Sequence, residues 1–479
     1  MKEKKIIAAL SALDIYELNS FRKYIVSPYF NVNPHIIRYI DLLLTELKKR
    51  QNIEPLNDKS LWGEIYGRES FNEQKFRKLN SDLVKLFEQF LAQEEFEKST
   101  SLKINLKLEG IRKKNIDKLV NGVVGEVERL EKIEMNKSAE YYLYRYLIER
   151  NLFNLTNENE KKTSKSKIER ELNIQEISRN LDYFFIAEKI KYYCTVLSWQ
   201  KMYNLDIELD NIDTVLEWAK KGHYPAIPPI AIYSKIHDTF MDRENESYYK
   251  ELKSLISEYI HMFPPEEMRE IYYTAISYCI DKVNKGNLNF QNETFFIYKE
   301  ALLKNVLLID NYLSPSDFRN IVFFALRVSE FDWAENFIEN YSKHLEEKSR
   351  DNAVYFSMAR LDFYRKNYWK VIEHLQKVNY EDVWYNLGSR TLMISTYYEL
   401  DEYDALDSLL LSFRMYIDRE KSLTKDRKQS YINLIKFTKK IIQINPKDKE
   451  KLLFLKNEIS KTKNVVVKPW LLEKIAELE

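Results

Sequence analysis

Glycine and proline are scarce in this chain. Only 8 Gly and 11 Pro occur among its 479 residues, which is about 4% together against roughly 12% in average proteins. Turn-rich β-sheet folds depend on these two residues, and a phosphate-binding loop needs clustered glycine, so the composition excludes both. No proline occurs at 56–224 or 316–445, and proline is the residue that most reliably interrupts a helix. The composition therefore predicts an all-α protein.

Residues suited to catalysis or metal binding are also few. The six histidines show no metal-ligand spacing, and the chain has no nucleophile elbow, dinucleotide fingerprint or Walker loop. We therefore predict a protein that is not an enzyme and holds no cofactor or metal. Cys194 and Cys279 lie in apolar helical surroundings without redox or metal spacing, which favours a cytoplasmic protein. An enzyme whose site assembles only in three dimensions is the less favoured alternative.

Long apolar runs are missing as well. No stretch approaches the ~18 residues of a membrane span, so we predict no membrane partner. Residues 2–13 combine lysines with a short apolar run, as the start of a secretion signal does. No clean small-residue cleavage site follows, and the apolar residues continue with helical spacing, so we interpret this segment as a first helix.

Positive and negative charges nearly balance, with a net charge of +1, but the last part of the chain is basic. Residues 418–479 contain 16 Lys or Arg against 9 Asp or Glu, a net charge of +7. Clustered positive charge is what phosphate binding requires. The candidate nucleic-acid patch consists of Lys425, Arg427, Lys428, Lys436, Lys439 and Lys440. Acidic residues are interspersed and no base-reading motif occurs, so nucleic-acid binding is the alternative function and not the first.

Residues 1–98 are predicted to form a compact helical bundle. Apolar residues recur at helical spacing through this part, most clearly over 36–47. The string at 27–31, Ser-Pro-Tyr-Phe-Asn, ends one helix before the next begins. We interpret Tyr29 and Phe30 as filling a gap between two helices, and a recognition knob is the alternative.

A helical middle region is predicted over 99–270. Residues 102–108 alternate like a strand, but a lone strand has no partner in a helical chain, so we predict helix there. Residues 154–168 are polar and low in complexity, which predicts a loop. A long helix is predicted to follow, over 174–202.

Three short segments at 330–334, 367–371 and 402–406 repeat one another. Each has a polar residue, then an aromatic residue, then a small or aliphatic residue three positions after the aromatic. The aromatic residues are 37 and 35 positions apart, which is one helical hairpin per step. A single hairpin cannot bury its own apolar face, so such hairpins are expected to stack on one another.

The period and the residue types resemble the tetratricopeptide repeat (TPR). In the middle hairpin, Ala359 stands nine positions before Tyr368, as that family's small first-helix residue precedes the aromatic of the second helix. Tyr355 and Met358 fall on two further first-helix positions of the family. The chain as a whole also resembles uncharacterised bacterial all-helical proteins.

The third hairpin departs from the family spacing. The string at 384–388, Trp-Tyr-Asn-Leu-Gly, matches the family's first helix, but Gly388 precedes Tyr403 by fifteen residues instead of nine. We therefore predict that the first helix of this hairpin is extended. The resemblance implies a TPR-like α-solenoid of stacked helical hairpins over 271–445, after the N-terminal bundle, with basic capping helices over 446–479.

In TPR-like arrays the first helices line a groove that binds a peptide or a protein. The repeat register places seven residues in this groove: Arg319, Asn320, Phe323, Arg327, Ser357, Arg360 and Tyr364. Arginine with asparagine and aromatic residues suits an acidic segment or a terminal carboxylate. We therefore predict a non-enzymatic protein–protein interaction module or scaffold whose partner is a protein or an acidic peptide segment. The alternative is that the seven are ordinary solvent-facing and interhelical residues.

Overall fold

The computed structural model describes residues 5–49, 57–159, 173–203 and 205–479, and in these ranges the protein is all-α. The described residues form 23 α-helices, and the one pair of strands among them is a two-residue antiparallel hairpin, Leu308–Ile309 with Tyr312–Leu313. None of the helices in these ranges is long and apolar enough to cross a membrane. The all-α prediction is confirmed.

The chain divides into two compact units, residues 1–233 and 234–479. The helices up to the division are α1 Lys5–Ser11, α2 Ile15–Val26, α3 Pro34–Lys49, α4 Asp58–Tyr66, α5 Glu73–Lys98, α6 Thr100–Lys114, α7 Val120–Ile133, α8 Ala139–Asn159, α9 Ile174–Tyr203, α10 Ile212–Ala219 and α11 Pro228–Met241. The division falls within α11. The finer boundaries at 98/99, 270/271 and 445/446 stay predictions.

The first five helices share one apolar core, which runs in sequence from Ile6 to Phe90. Asp14 starts α2 with a capping box, since its carboxylate accepts the backbone N–H of Glu17 while the Glu17 side chain accepts the N–H of Asp14. Residues 5–11 form the helix expected of the first segment, and their apolar side chains are buried.

The interpretation of Tyr29 as a filler between helices is wrong, because its side chain is 88% exposed. Phe30 does pack, with its ring stacked on that of Tyr24 at 4.0 Å between centroids. The turn is instead held by Asn31, which is buried and donates to the carbonyl oxygen of Ile25 at 3.0 Å. Because Asn31 closes the turn, the side chain of Tyr29 does not fill the space between the helices and faces solvent.

The middle region is helical where a strand was the alternative. Residues 102–108 lie inside α6, which packs with α7 and α8 around a second apolar core. The predicted loop at 154–168 is wrong at its start, because α8 continues to Asn159, and the rest of that loop lies outside the described residues. The long helix predicted over 174–202 is confirmed as α9.

The second unit is a series of helical hairpins. After α11 its helices are α12 Glu246–Tyr259, α13 Pro265–Asn284, α14 Asn289–Leu303, α15 Pro315–Arg327, α16 Phe331–Tyr341, α17 Glu347–Tyr364, α18 Tyr368–Leu375, α19 Val383–Glu399, α20 Tyr403–Arg419, α21 Lys425–Gln443, α22 Lys449–Lys461 and α23 Lys468–Leu478. Each helix from α13 to α20 packs against the next. In addition α15 packs against α17, and α17 against α19.

The three repeated segments occupy the same structural position. Their aromatic residues are the first residues of α16, α18 and α20. Two residues before each lies a residue with positive φ: Ser329 at 62°, Lys366 at 61° and Asp401 at 57°. In all three turns the next N–H reaches back to a carbonyl five residues earlier, at 2.8–2.9 Å. This is the Schellman ending of a helix, and it closes each hairpin in the same way.

The extended first helix of the third hairpin is confirmed. α19 is 17 residues long and contains the whole string 384–388. A carbon atom added at Gly388 in the position of a Cβ would lie 2.8 Å from Cζ of Phe356 on α17. Glycine is therefore the residue that lets α17 and α19 approach this closely.

The last helices close the apolar core that begins at α19. Apolar residues of α19 to α23 form one cluster, which runs in sequence from Leu387 to Ile475. Lys474 of α23 is buried and pairs with Glu399 of α19 at 2.8 Å. Trp470 donates its indole N–H to the same carboxylate at 3.0 Å. One carboxylate thus attaches the last helix to α19.

Replacement of Lys366 by glycine should stabilise the second unit. A non-glycine residue in the left-handed region costs about 1–2 kcal/mol, and the extra freedom of glycine in the unfolded chain returns about half of that. We expect Lys366→Gly to raise the free energy of unfolding by about 0.5–1 kcal/mol, because Lys366 is exposed and its side chain forms no contact in the described residues.

The control is Glu373→Gly, in the middle of α18 in the same hairpin. Glu373 is exposed and helical, so this change should lower stability by about 1 kcal/mol. Urea unfolding followed by circular dichroism measures both variants. A loss of stability with Lys366→Gly would contradict the left-handed conformation at that residue.

Candidate functional site

The candidate site lies on α15 and α17. Hydrogen bonds from Ser314 and from Tyr273 hold the first turn of α15 in place. Ser314 caps the helix, with its hydroxyl accepting the N–H of Asp317 at 3.0 Å, and Pro315 is the first helical residue, as the sequence predicts. The Asp317 carboxylate accepts the hydroxyls of Ser314 at 2.6 Å and of Tyr273, from α13, at 2.7 Å. These bonds set the position of the arginines that follow on α15.

Phe323 is the centre of the site. The guanidinium carbon of Arg360, from α17, lies 4.7 Å from the centroid of its ring, and that of Arg327, from α15, lies 5.1 Å from it. Both distances are within the range of cation–π attraction. Two positive charges from different helices therefore share one aromatic ring.

The alternation of arginine and aromatic rings continues toward α19. Arg360 also lies over Phe356 at 5.4 Å. The Phe356 ring meets that of Tyr385, on α19, edge to face at 5.6 Å, and Arg319 lies 4.8 Å from the Tyr385 centroid. We call this set the arginine–aromatic ladder. Its members are Arg327, Phe323, Arg360, Phe356, Tyr385 and Arg319.

The three arginines of the ladder form no ion pair with a carboxylate in the part of the chain that the structure describes. Arg365, one turn after Arg360 on the way to α18, is an ordinary contrast, since it pairs with Asp332 at 2.9 Å and Glu335 at 2.8 Å. The Nε of Arg327 is buried and has no hydrogen-bond partner there. Charge is therefore concentrated in the ladder without being neutralised.

The electrostatics of Arg360 reflect this arrangement. The pKa of Arg360 is lowered to about 10, mainly by burial; Tyr364 acts to raise it, and the positive charges of Arg327 and Arg319 contribute to the lowering. The group is still a cation at neutral pH. The direction of the shift means that an anion placed beside it would be stabilised in return.

Four of the seven predicted groove residues, Arg319, Phe323, Arg327 and Arg360, are brought together in the ladder, and the other three lie around it. Ser357 is buried, at 1% exposure, so its interpretation as a groove-facing residue is wrong; it sits between packed helices. Asn320 is half-buried and donates to the hydroxyl of Tyr298, on α14, at 3.5 Å. Tyr364 is 36% exposed at the end of α17.

Sequence reasoning missed the two aromatic residues Phe356 and Tyr385. Phe356 is four residues before Arg360, so the helical period alone could have placed it beneath that side chain. Tyr385 belongs to a string that the sequence does single out, but its contact with Arg319 joins residues 66 positions apart.

The predicted nucleic-acid patch is partly neutralised within the protein. Lys436 and Lys440 both pair with Glu458, at 2.7 and 2.6 Å. Arg427 lies 3.6 Å from the centroid of the Trp384 ring, and the ammonium of Lys428 donates to the carbonyl oxygen of Asp418 at 3.4 Å. The two remaining members, Lys425 and Lys439, form no contact of this kind in the described residues.

A search of the described ranges finds no group of three or more His, Cys, Asp or Glu side chains placed to hold a metal ion. Cys194 and Cys279 are both buried. Burial raises the pKa of the Cys279 thiol to about 12. The ladder is therefore the feature whose chemistry is best defined: it presents positive charge on aromatic surfaces.

Comparison of the chain with protein-family models, with curated proteins and with solved structures gives no match. The function has to be inferred from the side chains of this protein.

Replacement of Gly388 by alanine should disturb the ladder through Phe356. The added methyl group would contact a buried ring at 2.8 Å, and overpacking of this kind typically costs about 1–3 kcal/mol. The gain in helix propensity is about 1 kcal/mol, so we expect a net loss of up to roughly 2 kcal/mol. Urea unfolding measures the change.

Gly63→Ala is the matched control for this change. Gly63 lies within α4, and a Cβ at this position has no atom within 4 Å. Helix propensity then acts alone, and stability should rise by up to about 1 kcal/mol. Equal effects at the two glycines would show that the approach of α17 to α19 does not depend on Gly388.

Proposed function

We propose that this protein is a non-enzymatic protein–protein interaction module, and that residues 271–445 form a TPR-like array of stacked hairpins. Three features support the array. Each of the turns before α16, α18 and α20 has a left-handed residue at the same position, and each has the same backbone hydrogen bond to a carbonyl five residues earlier. The first helices α15, α17 and α19 pack side by side. The interval between successive hairpins is 37 and then 35 residues.

The partner that we propose is an acidic segment of another protein, bound at the arginine–aromatic ladder. The observation that carries this proposal is that Arg319, Arg327 and Arg360 contact aromatic rings and, within the described part of the chain, pair with no carboxylate. A guanidinium stacked on a ring keeps the N–H groups at its edge available, and these bind carboxylates in pairs. The ladder thus has charge and hydrogen-bond donors to offer without first breaking an ion pair.

The surrounding rings give such a site its second component. Phe323, a half-buried member of the ladder, and Tyr364, which is partly exposed beside it, are the rings that a partner can reach. Aromatic and arginine side chains are the residues that contribute most to binding at protein interfaces. An acidic segment with apolar residues between its carboxylates therefore fits the ladder better than a uniformly charged one.

The basic end of the chain supports nucleic-acid binding less well. Glu458 neutralises Lys436 and Lys440, which are two of the six residues of that patch. A phosphate backbone would have to compete with this carboxylate for both ammonium groups.

Our proposal further assigns the protein to the cytoplasm, in keeping with its two cysteines, Cys194 and Cys279, which form no disulfide in the described residues.

The test uses fluorescein-labelled hexapeptides with zero, two or four Glu in a Gly-Ser-Leu background, each with a free or an amidated carboxyl end. Fluorescence anisotropy with the whole protein should show affinity that rises with the number of Glu and falls with added salt. The triple variant Arg319→Glu, Arg327→Glu, Arg360→Glu should lose at least about tenfold in affinity, since charge-assisted hydrogen bonds contribute about 1.5–3 kcal/mol each.

The control is a second triple variant, Arg77→Glu, Arg414→Glu, Arg419→Glu, which changes the net charge by the same amount. All three of its arginines are exposed and lie outside the ladder. Circular dichroism is used to check that both variants are folded before their affinities are compared. Equal losses in the two variants would mean that the peptides respond to net charge alone, and the assignment of the ladder would then be wrong. Amidation separates an internal acidic segment from a terminal carboxylate.

A further inference from the structure

We propose that the anion bound at the ladder is a phosphate monoester, carried on a phosphorylated segment of the partner protein, and that it lies between Arg327 and Arg360. This inference rests on the proposed function, because it names the chemical group that the same site recognises. It goes further than the binding of an acidic segment, because it requires a group with a charge close to −2. A single carboxylate does not carry that charge.

The position of the anion follows from the shared ring of Phe323. The two guanidinium carbons lie 4.7 and 5.1 Å from its centroid, so they are no more than 9.8 Å apart. Arg319 and Arg327 are eight residues apart on α15, which separates their Cα atoms by about 12 Å along the helix axis. Arg327 and Arg360 are the two arginines that share one ring, and we assign the anion to this pair, with Arg319 further along the bound segment.

The charge at this pair favours a dianion. Two guanidiniums lie on one ring without a carboxylate partner in the described residues. Arg360 is half-buried, and desolvation lowers its pKa to about 10. A carboxylate neutralises one of the two charges, whereas a phosphate monoester carries about −1.5 to −2 at neutral pH and neutralises both.

The hydrogen-bond donors of the pair also exceed what a carboxylate can accept. Each guanidinium has five N–H groups, and neither Arg327 nor Arg360 donates a hydrogen bond to another group in the described part of the chain. A carboxylate offers two oxygen atoms and a phosphate monoester three, and arginine clusters are a common means of recognising phosphorylated segments.

The other titratable groups near the ladder leave this end positive. Burial raises the pKa of Tyr385, so this phenol is neutral at physiological pH. Asp382 acts on Tyr385, at the Arg319 end. Its carboxylate caps α19, accepting the N–H groups of Trp384 at 2.8 Å and Tyr385 at 3.1 Å. The negative charge is thus at the opposite end of the ladder from Arg327.

The experiment compares three probes by isothermal titration with the whole protein: the peptide acetyl-Ala-Ala-phosphoserine-Ala-Ala-amide, the same peptide with Glu in place of phosphoserine, and inorganic phosphate. At about pH 7.5 the phosphopeptide should bind at least about tenfold more tightly than the Glu peptide. The second ionisation of a phosphate monoester has a pKa of about 6. Phosphopeptide affinity should therefore rise by up to about tenfold between pH 5 and 7.5, with no comparable rise for the Glu peptide.

Variants locate the anion. Arg327→Gln and Arg360→Gln should each remove the preference for the phosphopeptide and its pH dependence. Arg360→Lys keeps the charge and is the safer change for folding, and it should lose most of the preference because an ammonium cannot bind two oxygens side by side. The control Arg414→Gln, at an exposed position on α20, should leave all affinities unchanged.

Each outcome decides between the two proposals. If the Glu peptide binds as tightly as the phosphopeptide, the phosphate assignment is wrong and the interaction module stands. If inorganic phosphate binds as tightly as the phosphopeptide, no segment is recognised, which overturns the assignment to a phosphorylated partner. If neither these peptides nor the Glu-containing hexapeptides bind, both proposals fail.

Discussion

Arg360 is a cation that the surrounding protein desolvates without supplying a carboxylate, and the packing of α15, α17 and α19 has to make this possible. Desolvation of a charge costs several kcal/mol in a real protein. Each cation–π contact returns about 0.5–2 kcal/mol, and Arg360 makes two of them, with Phe323 and Phe356. The rings offset part of the cost, and the apolar burial of the three helices must cover the remainder.

An ion pair would readily lower the free-energy cost of burying Arg360. A single Asp or Glu on a neighbouring helix would pair with Arg360, as Asp332 and Glu335 do with Arg365 one turn further along the chain. Residues held in an unfavourable state without structural need are typical of functional sites, where stability is lower than the fold could provide. The contrast between these two arginines is the strongest reason to regard the ladder as a binding site and not as a core feature.

The features of the fold and of the candidate site that could be predicted from the sequence are those in which the interacting residues are close together along the chain. The starts of α16, α18 and α20 follow from a local pattern of polar, aromatic and small residues, and the cap at Ser314 follows from three adjacent residues. The arginines could be placed on common helix faces by their spacing. Local patterns therefore carried the elements and the first candidates for the site.

Contacts between distant segments could not be predicted in this way. The pairing of Glu458 with Lys436 and Lys440 joins helices whose relative position the sequence does not state. The burial of Ser357 depends on how closely its neighbours approach, and a position that looks polar along one helix can face another helix. The solvent exposure of Tyr29 likewise depends on Asn31 closing the turn. Charge and exposure at a surface are properties of packing, which one sequence constrains only weakly.

The turns and the helix contact at Gly388 differ in how much sequence change they permit. The left-handed turn residue is Ser, Lys and Asp in three successive hairpins, so the fold accepts chemically unrelated side chains there. Between α17 and α19 even one methyl group would meet the ring of Phe356. The turns therefore tolerate sequence change, whereas the spacing of these two helices, and with it the geometry of the ladder that crosses them, depends on the absence of a side chain at Gly388.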